Sequence, residues 1–129
     1  MKINLVGECF EMTDNARIAE LPQVPEAKGF DEVVCAALDH PLDLQPLAQW
    51  DLRGKRVAIM VDDWGRLTPC GDFLPSVLNR LNAAGAADDH ITIVTASGMH
   101  DPMDDDRMLA KVGLEAFRRV RCISHDGGN

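Results

Sequence analysis

Three stretches of the chain are rich in apolar residues, and each stops at a cluster of polar ones: R-V-A-I-M-V at 56–61, I-T-I-V-T-A at 91–96 and R-V-R-C-I-S at 119–124. Short apolar runs of this kind, dense in Val and Ile, predict β-strands, and the continuity of the first predicts burial on both faces, as in a parallel sheet. Between the first two runs, Phe73, Leu74, Val77, Leu78 and Leu81 recur at helical spacing. Asp72 stands as a cap, Gly85 lies past the end, and Pro75 falls in the first turn, where it is tolerated. Between the second and third runs a further helix is predicted, with Asp101 as cap, Pro102 at the first helical position, Asp104 three residues past the cap and Gly113 after Val112. The order strand, helix, strand, helix, strand implies right-handed crossovers, hence an α/β, Rossmann-like parallel sheet with helices on its faces.

The first fifty residues are less regular. Residues 2–14 alternate loosely, with Ile3, Leu5, Cys9, Phe10 and Met12 set around Gly7-Glu8, which predicts a short N-terminal β-hairpin with one buried face. Two prolines and a glycine mark 21–29 as a connector. F-D-E-V-V-C-A-A-L-D then reads as a helix of two to three turns with Asp31 as its cap, stopped by His40-Pro41. P-L-D-L-Q-P-L-A-Q-W suits an extended connector or a single helical turn.

Composition narrows the function classes. The 129 residues are one domain's worth, 46% hydrophobic and 26% charged, which fits a folded protein. A net charge of -8 without any Lys/Arg-rich run argues against a nucleic-acid partner or an anionic membrane surface. No run approaches the roughly 18 apolar residues of a membrane span, and the N-terminus lacks the apolar core of a signal peptide, so a cytoplasmic protein is expected. Cys9, Cys35, Cys70 and Cys122 form no C-x-x-C pair and read as buried free thiols.

Parallel strands put their carboxyl ends on one edge, where such sheets bind ligands. The loops after Val61, Ala96 and Ser124 therefore gather Asp62, Asp63, Arg66, Thr68, Ser97, Gly98, His100, His125 and Asp126 on one rim. Arg66 offers a planar fork of donors for a carboxylate or phosphate, or else a salt bridge to Asp62 or Asp63. Thr68 and the helix start near Asp72 add hydroxyl and backbone N–H donors. Gly98 permits a tight turn and close backbone approach to a ligand. His100 suits proton transfer at neutral pH, though local packing beside Asp101 is the simpler role. His125-Asp126 is a second polar pair or a frayed end. Asp104-Asp105-Asp106 fits a helix first turn better than a cation site, so no metal ligand is assigned. His40 and His90 read as surface residues. Neither a P-loop nor G-x-G-x-x-G occurs.

D-D-W-G-R-L-T-P, then A-S-G-M-H-D-P, then a strand ending S-H-D, resembles the N-terminal domain of the lactate racemase family, whose members show D-D-x-T-R-P-T-P and T-G-T-H-R-P. The likeness runs from about Lys55 to Asp126. It implies a nickel-dependent isomerase that inverts a 2-hydroxy acid with a nickel-pincer nucleotide, the cofactor taking a hydride from the substrate carbon and returning it to the other face. By the resemblance His100 matches one of a pair of acid/base histidines, and Asp63 and Arg66 match residues that hold substrate or cofactor. Gly65, Leu67, Met99 and Asp101 depart from the family pattern, which opens the choice of 2-hydroxy acid beyond lactate.

The resemblance also implies partners. The second histidine, the tethering lysine and the nickel-ligating histidine belong to sequence beyond Asn129. Residues 1–129 are thus expected to form the N-terminal portion of a longer two-domain enzyme, silent alone, with an apolar surface that faces the missing portion or drives self-association. The competing expectation is a stand-alone module that holds an anion or nucleotide without turnover.

Overall fold

A computed structural model describes residues 29–128 together with 2–5, 8–11, 13 and 15. The apolar runs form three strands: β3 (Val57–Asp62), β4 (Ile91–Ala96) and β5 (Arg121–Ser124), hydrogen-bonded in the order β3-β4-β5. Both pairings are parallel; Val57 stands opposite Ile91 and Asp62 opposite Ala96, while Thr92 faces Arg121 and Thr95 faces Ser124. A separate two-stranded sheet, β1 (Lys2–Leu5) with antiparallel β2 (Glu8–Glu11), is the expected hairpin. Its expected buried face involves side chains outside the described residues, as does the connector before Gly29.

The helices are α1 (Phe30–Asp39), α2 (Cys70–Ala83), α3 (Asp105–Val112) and α4 (Leu114–Arg119). Single 3-10 turns span Leu47–Gln49 and Asp88–His90. α2 begins two residues before the expected cap; Pro69 occupies the cap position and Asp72 lies in the first turn. Pro75 is consequently deeper in the helix than expected. α3 begins later than expected: the cap is Asp104, whose carboxylate accepts the Arg107 N–H at 2.9 Å. Asp101 and Pro102 lie in the segment before it. Gly29, not Asp31, caps α1, and His40 closes it.

The short α4 was not anticipated from the sequence. Its existence depends on Gly113, whose φ of +82 turns the chain out of α3 and directly into α4. A Cβ on Gly113 would lie 2.9 Å from Gly71 Cα, so the two glycines let the α3–α4 junction cross the start of α2 at backbone contact distance.

α2, α3 and α4 cover one face of the sheet. Leu74, Leu78, Ile91, Ile93 and Val112 are fully buried there, with Met108, Ala116 and Val120 beside them. Burying each Leu, Ile or Val stabilises by roughly 1.5–3 kcal/mol. The expectation that β3 is buried on both faces is overturned. Its burial alternates, and Met60 is 74% exposed. The cause is topological. Two successive right-handed crossovers that advance the sheet in one direction place every crossover helix on the same side, leaving Met60, Val94 and Ile123 without a helix over them among the described residues. α1 lies against α2, and Asp39 pairs with Arg80.

Candidate functional site

The register places the ends of β3, β4 and β5 side by side, which unites residues 62–68, 97–100 and 124–126 on one rim. The loop after β4 is held from beneath. Ser97 is buried, its hydroxyl 3.0 Å from that of Ser124, which also accepts the Met103 N–H at 2.8 Å and the Thr95 hydroxyl at 3.2 Å. Gly98, at φ +59, makes the turn in which the His100 N–H donates to the Ser97 carbonyl at 3.0 Å. The Ser97 and Ser124 hydroxyls therefore serve the frame, and His100 is carried out beyond it.

His100 meets the β3 loop through Nδ1, which pairs with Asp63 Oδ2. Asp63 is 5% exposed, whereas the imidazole side chain is 65% exposed. One ring nitrogen is thus fixed by a buried carboxylate while the rest of the ring faces solvent. The hydrogen bond from His100 holds the Asp63 carboxyl below the usual carboxylate range against desolvation, helped by the charge of the imidazole when it is protonated, by the Gly65 N–H and by the nearby Arg66. The expectation of a merely local role for His100 beside Asp101 does not describe this contact.

Asp62, Asp63, Arg66, Ser97, Gly98 and His100 share a cleft of about 560 Å3. Neither expected salt bridge of Arg66 is present: Asp63 is taken by His100 and Asp62 by Lys111. The Arg66 guanidinium has no carboxylate partner among the described residues, and it also borders a neighbouring cleft where Arg107 lies over Trp64, 4.9 Å from the ring centre.

Lys111, unassigned from sequence, is the buried cation behind this rim. Its Nζ lies 2.6 Å from Asp62 Oδ1 and donates to the carbonyls of Arg66 at 3.0 Å and Thr68 at 3.2 Å. Thr68 donates its hydroxyl to the other oxygen of Asp62 at 2.5 Å, so its proton is committed within the loop. Burial raises the Asp62 carboxyl, but the hydrogen bonds from Lys111 and Thr68 outweigh it and hold the group below the usual range. The signal for Lys111 was its phase, on the same helical face as Met108 and Val112.

The remaining expectations separate cleanly. His125 is exposed, and its N–H extends the ladder to the Thr95 carbonyl at 2.9 Å. His40 and His90 are exposed. Asp104 serves as a helix cap, and no group of three or more His, Cys, Asp or Glu side chains poised for a metal occurs among the described residues. The cysteines are free, but Cys9 is exposed and only Cys70 is fully buried, contrary to the expectation of four buried thiols.

A profile of the family described as "Lactate racemase N-terminal domain" matches residues 9–129. Among solved structures the chain is similar to the lactate racemase apoprotein from Thermoanaerobacterium thermosaccharolyticum, with a TM-score of 0.62 and 25% identity. The alignment covers 74% of this chain and 23% of that one, so the chain spans less than a quarter of that protein's length. No curated protein matches the chain.

Proposed function

The chain belongs to the lactate racemase N-terminal domain family, and from that premise we propose that residues 1–129 are the N-terminal portion of a two-domain isomerase that inverts a small 2-hydroxy acid. The observation that carries this reading is the pair formed by His100 and the buried Asp63 in a cleft bordered by the carboxylate-free Arg66. Asp63 accepts the proton on Nδ1, which leaves Nε2 as the basic nitrogen facing the cleft. Nε2 then takes the substrate's hydroxyl proton as the carbon is oxidised and returns it on reversal. Arg66 orients the substrate carboxylate or an anionic group of the cofactor, by a planar fork that needs no change of protonation.

The residues present fit the anionic part of a nickel-pincer nucleotide and not its metal. Arg66 is a cation without a carboxylate partner, and Gly98 brings backbone to the cleft without a side chain over it, but no metal-ligating cluster exists among the described residues. When bound, the cofactor supplies the hydride acceptor; in this reading its tethering lysine and nickel ligand come from the remainder of the enzyme. The isolated chain is then silent. Asp101, exposed beside His100 where the family pattern has arginine, opens the choice of 2-hydroxy acid beyond lactate, because a negative charge replaces a positive one next to His100. A cytoplasmic site of action is part of the same proposal; no helix among the described residues is long and apolar enough to cross a membrane.

The test is inversion of a panel of 2-hydroxy acids by the nickel-loaded full-length protein, with His100→Ala alongside. A loss of at least about a hundredfold in kcat is expected for removal of the acid/base group; full activity in that variant removes the role given to His100. Arg66 in an open cleft also suits an anion-binding module without turnover. That reading takes over if the native gene product is a chain of this length that binds anions and inverts nothing.

A further inference from the structure

Lys111 is 8% exposed. Lysine is seldom buried unless its charge is met, because desolvating an ammonium costs several kcal/mol. Here all three protons have acceptors, namely Asp62 Oδ1, the Arg66 carbonyl and the Thr68 carbonyl. Two of these belong to the backbone of one short loop, and that loop carries the site. Other bonds within it are few: the Arg66 N–H donates to the Asp63 carbonyl at 3.2 Å and the Cys70 N–H to the Thr68 carbonyl at 2.9 Å. Without Lys111 the Arg66 carbonyl would have no donor among the described residues and the Thr68 carbonyl only the Cys70 N–H, so their convergence on one ammonium fixes the path of the loop.

Pairing with Asp62 accounts for one of the three bonds, and the other two go to the backbone of the loop. The ring closes further through Thr68, whose hydroxyl donates to the second oxygen of Asp62. Asp62, Lys111 and Thr68 thus form a closed set that ties the end of β3 to the far end of the motif. Arg66 lies between these two tied points in the chain and is held to Lys111 through its own carbonyl.

We propose that Lys111 is a positioning residue: from α3 it clamps the backbone of residues 66–68 and thereby sets where the Arg66 guanidinium emerges into the cleft. This rests on the reading of Arg66 as the anion-holding group, but its test needs no ligand. Amide hydrogen exchange and 15N relaxation, including the Arg66 Nε–H, are measured on the 129-residue chain as wild type, Lys111→Met, Asp62→Asn and the double variant.

The expected result for Lys111→Met is exchange at least tenfold faster at the Arg66 and Cys70 amides and a more mobile Arg66 Nε–H, with Ile93 and Thr95 in β4 unchanged. Asp62→Asn, which keeps the ammonium and both carbonyl bonds, is expected to leave the loop protected. The double variant has no unpaired carboxylate at Asp62, so it folds even if Lys111→Met does not, and its loop is expected to stay loose. Recovery of loop protection in the double variant overturns the proposal and makes Lys111 a counterion only. Uniformly faster exchange in β4 and the loop also overturns it, by showing a general loss of stability. Either failure leaves the reading of His100 standing, and an inactive full-length enzyme leaves the clamp standing.

Discussion

The two faces of the three-stranded sheet carry similar apolar side chains but have different surroundings. On one side Ile91 and Ile93 of β4 pack with Leu74 and Leu78 of α2 and Val112 of α3, all fully buried. On the other side Met60 is largely in solvent, with Val94 half-buried and Ile123 at the surface. The strand residues of both sets come from runs that read as rich in apolar residues. The difference teaches that strand hydrophobicity reports the surroundings a strand is built for, whereas its cover depends on which way the crossovers run. Here both run the same way, and among the described residues the second face is left open beside the cleft that holds Arg66 and His100.

The sharpest way to break this contrast is on the covered side. Leu78 is 0% exposed in the middle of α2, so Leu78→Ala removes buried methyl groups and leaves a cavity in packing that relaxes only in part. A loss of about 2–5 kcal/mol is expected from urea unfolding of the chain, a large fraction of the roughly 5–15 kcal/mol typical of a domain. A loss under 1 kcal/mol would mean that the covered face is no better packed than the open one.

That contrast also shows what was legible beforehand. β4 falls on the expected residues, and the other two strands within two residues, because runs of Val, Ile and Thr have few alternatives to a strand once helices flank them. The gathering of Asp63, Arg66, Gly98 and His100 on one rim followed from strand direction alone. The partners within the rim did not follow. Asp63 and His100 are 37 residues apart, and their contact depends on register and on the loop that Ser97 and Ser124 anchor. Lys111 was visible only as a polar residue in phase with Met108 and Val112, a position that a long side chain often leaves for solvent. α4, at six residues, is too short for its periodicity to register. Nor does an apolar strand say whether one face or two will be covered.

A smaller effect is expected from acid, and it compares polar ties on the two sides of the molecule. Arg119 of α4 holds Asp88 at 3.1 Å beside the covered core, and hydrogen bonds from Arg119 and Asn82 keep the Asp88 carboxyl below the usual range. Asp63 at the rim is shifted the same way, chiefly by His100. A carboxyl depressed in the folded chain binds its proton more readily when unfolded. It therefore adds stability that is complete above the unfolded value near 4 and is lost as pH falls through the folded value. Stability should be nearly level with respect to these two groups from pH 7 to about 5 and then decline below about 4. Asp88→Asn and Asp63→Asn should each flatten part of that decline, as read from urea midpoints across pH. A decline indifferent to both substitutions would assign it to other carboxylates.

The smallest effect belongs to the open face. Met60 makes little use of burial, and a surface substitution away from caps, networks and strained backbone usually changes stability by no more than about 0.5 kcal/mol. Met60→Gln keeps the length of the side chain and removes its apolar end, so the 129-residue chain should unfold at nearly the same urea concentration. If this open face is the apolar surface expected to meet the missing portion, the same substitution should cost more in full-length protein, because docking would then bury an amide without assured partners. Equal, near-zero costs in both would show that Met60 stays in solvent and that the remainder docks elsewhere. A cost above about 1 kcal/mol in the short chain alone would point to self-association through the open face, and sedimentation of that chain at several concentrations would show whether the cost tracks a dimer.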